Sequence, residues 1–150
     1  TDEALRYVDK IVQTFNRTLP GSISEMMPDY GCFVIAWTSY GIVVPLIQHV
    51  FGIQPDAMKK TVVFDPHMPT GWEDMSIEDL PVGTTMVSFS RARTSKGIEY
   101  RFEVKDDGWN VVLKGKGLPG AKYYLNGRLV SFTSSGIQMS GRKNHVLVVQ

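Results

Sequence analysis

Glu25 is the residue of this chain with the most definable chemical task. It closes the polar loop Pro20-Gly-Ser-Ile-Ser-Glu25, and the aromatic residues Tyr30, Trp37 and Tyr40 follow it. A carboxylate can serve as a general base, taking a proton from a water molecule as that water attacks. Flat aromatic walls suit sugars, which present apolar ring faces and hydroxyl edges. These types suit sugar chemistry, with Glu25 the candidate catalytic carboxylate and Trp37, Tyr30 and Tyr40 the candidate substrate-binding residues. Blander readings of the same residues stay open. Ser22-Ile-Ser-Glu25 fits the S-x-x-E capping box, although Pro28 and Gly31 leave it little helix to cap. Trp37 and Tyr40 also suit a packed helix interface.

Other chemistries find less support. His49, His67 and His145 are far apart, and no Cys or His pair has metal-ligand spacing, so each histidine reads as structural and no cofactor is expected. Gly115-Lys-Gly117 falls between strands rather than ahead of a helix, and no serine sits in a G-x-S-x-G elbow. The single Cys32 rules out an internal disulfide framework and leaves the compartment open. Lys plus Arg number 16 against 15 Asp plus Glu, so there is no basic footprint for nucleic acid.

The elements that must position Glu25 are helical. Ala4, Leu5, Val8, Ile11, Val12 and Phe15 form a 3.6-residue stripe, which predicts a helix over 2–17. Residues 30–55 contain no Asp, Glu, Lys or Arg. A stretch of that length is a membrane-span candidate. Thr38, Ser39, Gly41, Pro45, Gln48 and His49 interrupt it, and no cationic cluster flanks it, so a buried, kinked helix over about 33–51 is the better reading and no membrane is expected. Such a helix needs cover on most sides. Left exposed, the helical hairpin would promote self-association.

Beyond Pro55 the pattern changes to period 2. Ile98, Tyr100, Phe102 and Val104 alternate with Glu99, Arg101, Glu103 and Lys105, which predicts a strand with one packed and one wet face. Asn126-Gly127 between short apolar runs predicts a tight hairpin. Strands are also expected at 61–64, 84–93, 109–114, 121–125, 128–132 and 145–149. Trp72 and Trp109 read as packing residues or as a carbohydrate-binding face.

Pro20-Gly-Ser-Ile-Ser-Glu25 and Ala36-Trp-Thr-Ser-Tyr-Gly41 together resemble the last hairpin of the (α/α)6-toroid, or six-hairpin, glycoside hydrolases. These include glucoamylases, debranching amylo-α-1,6-glucosidases and α-L-rhamnosidase-like enzymes. Phe51-Gly-Ile-Gln-Pro-Asp56 and Phe64-Asp-Pro-His-Met-Pro-Thr-Gly-Trp72 resemble the passage from toroid to C-terminal β-sandwich in bacterial members. The resemblance implies an α+β chain: a helical hairpin over 1–56, the end of a toroid, then an antiparallel β-sandwich over 57–150. It implies that Glu25 is the general base of an inverting glycosidase acting on oligo- or polysaccharides. The catalytic acid, with the remainder of the toroid, would lie upstream, and this piece alone would be inactive. The alternative is a non-catalytic carbohydrate-binding or structural β-sandwich module.

Overall fold

The computed structural model describes residues 1–15, 17, 19, 22, 23, 25, 31, 32 and 40–150. They form two compact units, residues 1–52 with 67–70, and residues 53–66 with 71–150.

In the first unit, helix α1 runs from Asp2 to Val12, with Asp2 and Glu3 in its first turn and Val8 buried. It ends earlier than its apolar stripe because Thr14 turns back on it. The Thr14 N–H and hydroxyl both donate to the Ile11 carbonyl, at 2.9 and 2.7 Å. Such local bonds compete with the helical ladder. Helix α2 covers Tyr40–Val43 and continues as a π-helical segment, Val44–Val50. Pro45 accounts for the change. It has no N–H to give the Gly41 carbonyl four residues back, and its ring crowds that oxygen. The wider ladder shows at the far end, where the Phe51 N–H donates to the Leu46 carbonyl at 2.9 Å. Gly52 follows at φ 65°, a left-handed helix stop. A Cβ on Gly41 would lie 2.8 Å from Ile11 Cδ1, so glycine allows α2 to approach α1. Residues 67–70 close the unit. The His67 N–H donates to the Val50 carbonyl at 2.9 Å, and Asp2 accepts the Thr70 N–H and hydroxyl at 2.8 and 2.6 Å.

The second unit holds two sheets. Strands β1 (Ile53–Asp56), β2 (Thr61–Phe64), β6 (Asn110–Leu113) and β9 (Ile137–Ser140) pair in the order β1-β2-β6-β9. Strands β3 (Met75–Val82), β4 (Thr85–Thr94), β5 (Gly97–Val104), β7 (Lys122–Leu125), β8 (Arg128–Val130) and β10 (Lys143–Val149) pair in the order β3-β4-β5-β10-β7-β8. Phe64 joins the sheets. Its ring centroid lies 4.9 Å from Phe89 of β4 and 5.0 Å from Phe102 of β5. Val62, Val87, Val104, Val111 and Val146 are fully buried around it. The β7–β8 turn has Asn126 and Gly127 at φ 48° and 81°, the two positive values of a type I′ turn. Edge strand β3 tolerates Pro81 and carries a bulge between Ile77 and Leu80, where Asp79 (φ 52°) gives its N–H to the Ser88 hydroxyl.

The expected α+β class, a toroid's helical hairpin followed by an antiparallel sandwich, is not the architecture found. Among the described residues the chain is mostly strand, in two sheets, and the helical parts are short. Composition joins 33–51 into one helix, but from Val44 the ladder is π-helical, and residues 33–39 lie outside the described set. Ile53–Asp56, which motif order assigns to a helix exit, pairs with β2 through Ile53 opposite Phe64. Strand β2 runs parallel to β6, so the smaller sheet is mixed. The cover that an uncharged helix requires is also incomplete, since Tyr40 is 65% and Val43 49% exposed. Among the described residues no helix is long and apolar enough to cross a membrane.

Two outcomes follow from this packing. Phe64→Ala should lower stability by about 3–5 kcal/mol in urea titrations, against about 0.5 kcal/mol or less for exposed Tyr40→Ala. The two Thr70 hydrogen bonds hold the Asp2 carboxyl below the usual aspartate range. A depressed folded value means the tie is complete above the ordinary aspartate pKa and is lost as pH falls through the folded one. Acid titration followed by NMR should therefore move the Thr70 amide only below the range of an ordinary aspartate, and Asp2→Asn should abolish that step.

Candidate functional site

The Glu25 loop does not form a capping box. The Ser22 hydroxyl and N–H both donate to the Leu19 carbonyl, at 2.8 and 3.1 Å, instead of reaching forward. Glu25 pairs with Cys32 in both directions. Its N–H donates to the Cys32 carbonyl at 3.0 Å, and its Oε2 accepts the Cys32 N–H at 3.1 Å. Gly31 makes this possible. It sits at φ 81°, and a Cβ there would collide with Glu25 Oε2. Ser22 and Ile23 are buried while Glu25 is exposed, so the loop is anchored inside and presents its carboxylate to solvent. Among the described residues Oε1 accepts no hydrogen bond.

Of the aromatic candidates, Tyr40 begins α2 and is exposed. Among the described residues no hydrogen bond or ring contact joins it to Glu25. Tyr30 and Trp37 lie outside the described residues. Trp109 is buried, which removes it as a sugar platform, whereas Trp72 is 44% exposed. His67 serves the fold, with Nδ1 3.1 Å from the His49 carbonyl. Among the described residues no group of three His, Cys, Asp or Glu could hold a metal ion.

A second arrangement lies on the six-stranded sheet. Val87 and Phe89 point into the core, so Ser88 and Ser90 point out. Strand register puts Ser90 between Ser76 of β3 and Arg101 of β5, with His145 of β10 next in the row. The adjoining row runs Ser88, Glu103, Lys143. Three short serines beside longer side chains leave a depression of about 430 Å³. Its charges are paired internally: Lys143 Nζ lies 3.3 Å from Glu103, and Arg101 Nη2 3.0 Å from Glu99. His145 Nε2 is buried without a hydrogen-bond partner, 3.5 Å from Glu99 Oε2. Sequence reasoning assigns Glu99, Arg101 and Glu103 to a wet face but does not find the serines. Their signal is Val87-Ser-Phe-Ser90, small polar residues alternating with core residues.

No family model, curated protein or solved structure matches this chain. A functional reading therefore rests on these side chains and on the motifs around them.

The tight packing of Gly31 on Glu25 makes a direct test. Gly31→Ala should release the Cys32 amide and raise its hydrogen-exchange rate by roughly tenfold. Glu25→Gln, which keeps a carbonyl acceptor, should change that rate far less.

Proposed function

We propose that this chain is part of a glycoside hydrolase, with Glu25 as the general base. The observation that carries the reading is the exposed Glu25 carboxylate, with Oε2 held by the Cys32 N–H and Oε1 accepting no hydrogen bond among the described residues. The likeness of the Pro20–Glu25 and Ala36–Gly41 motifs to the base loop of glucoamylase-like enzymes adds the substrate class. In the step proposed, Oε1 takes a proton from water as the water oxygen attacks the anomeric carbon. The glycosidic oxygen leaves with a proton from a second carboxylic acid. Inversion requires the two carboxyls to stand roughly 6.5–9.5 Å apart, with the water between base and sugar. The acid is supplied by another part of the enzyme, so the 150-residue chain alone does not turn over an aryl glycoside. The exposed apolar side chains of the first unit, Tyr7, Val12, Tyr40 and Val43, are assigned to contact with that remainder or with a second copy.

The experiment is kinetic. In the natural gene product that carries this sequence, Glu25→Gln should lower kcat by about 10²- to 10⁴-fold without moving the melting temperature. Proton NMR of fresh product should show the anomer opposite to that of the substrate. An unchanged kcat, or product of retained configuration, would sink the reading.

A non-catalytic carbohydrate-binding module is the second reading. The observation that favours it is the depression on the outer face of the six-stranded sheet, which shares no residue with the Glu25 loop.

A further inference from the structure

We infer that the depression over β3, β4, β5 and β10 binds a neutral oligosaccharide. The inference deepens the binding-module reading and rests on it, while the Glu25 reading stands apart. Size comes first. A depression of about 430 Å³ falls within the range of small-ligand sites, roughly 300–1,000 Å³. It holds a few sugar rings and is too small for a protein domain.

Polarity comes next. Ser76, Ser88 and Ser90 supply hydroxyls, which both donate and accept. Arg101 and Lys143 supply donors, and Glu103 an acceptor. This mixture matches sugar hydroxyls, which also do both. Serines form the floor because larger residues on β3 and β4 would fill the space that the strands of this face leave open.

Charge then decides between ligand classes. Lys143 is spent on Glu103, and Arg101 on Glu99. With Glu78 at the rim, the face offers no surplus of positive charge. A phosphate or uronate would have to break these pairs before gaining its own, and a cationic ligand would find Glu103 and Glu99 already spent on Lys143 and Arg101. A neutral polyol can bond to both members of each pair without separating them. His145 lies at the end of the same row as Arg101, with its ring Nε2 3.5 Å from Glu99 Oε2. Its buried Nε2 lacks a hydrogen-bond partner, while its main-chain N–H is already committed to Asn126 Oδ1 at 2.8 Å.

The test is an NMR titration of the ¹⁵N-labelled 150-residue chain. The probes are neutral hexaoses built from glucose (α-1,4, β-1,4 and β-1,3), mannose and xylose, together with rhamnose and an anionic hexagalacturonate. At least one neutral sugar should shift the amides of Ser88, Ser90, Arg101 and Lys143 saturably. Ser76→Tyr, which fills the depression from an exposed edge position, and Arg101→Gln should each weaken that binding roughly tenfold or more. Shifts confined to other strands would overturn this site but leave the binding-module reading standing. Silence from every neutral sugar would overturn both. Tighter binding of hexagalacturonate than of any neutral sugar would overturn the charge argument and the inference with it. The readout is amide shifts on β4, β5 and β10, not turnover, so none of these outcomes bears on Glu25.

Discussion

The contact of Phe64 with Phe89 and Phe102 is what the second unit depends on. Phe64 is the last residue of β2, a strand of only four residues, and it is completely buried. A strand so short cannot hold its place by ladder hydrogen bonds alone. Wedging its terminal ring between two rings of the opposite sheet fixes both its register and the direction it faces. That anchoring reaches its neighbours, since β1 pairs with β2 through Ile53 opposite Phe64, and β6 pairs with it through Leu113 opposite Phe64. The outer face of the six-stranded sheet follows from the same constraint. With Phe89 and Phe102 committed inward, Ser88, Ser90, Arg101 and Glu103 have only the outside.

The Glu25 loop obeys a different logic. Among its described residues, Glu25 and Cys32, seven apart, exchange two hydrogen bonds. The main-chain N–H of Cys32 biases the carboxylate toward one orientation by about 1 kcal/mol.

How far the sequence could be read varies with the element. Strand β5 was legible because four apolar residues alternate with four charged ones, and one face is buried. The Asn126-Gly127 turn was legible because only those residue types accept two positive φ values cheaply. Strand β3 was not, because Pro81 and the Glu78-Asp79 pair argue against a strand, and only the edge position with its bulge admits them. The helical segment beginning at Tyr40 could be placed but not typed. Lack of charge predicts burial, which between Tyr40 and Val50 only Val50 shows, and it says nothing about whether the ladder closes over four residues or five, which the single residue Pro45 decides. At the candidate site, Glu25 stood out by its type and loop, while the pairing with Cys32 that fixes it is a contact no local pattern encodes. The serine-floored depression was invisible for a related reason, since it exists only where four neighbouring strands align their registers.

The short segment His67–Thr70 carries a consequence for how this polypeptide can be divided. It belongs by its contacts to the first unit, although it lies between strands of the second. The chain therefore crosses between the units after residues 52, 66 and 70, not once. Any attempt to excise the β-rich half by cutting near residue 56 would take these four residues along and strand them. The donors of His67 and Thr70 would lose Val50 and Asp2, their acceptors on the discarded side. The two halves are interlaced along the backbone, and neither has a terminus at which it can be cleanly parted from the other.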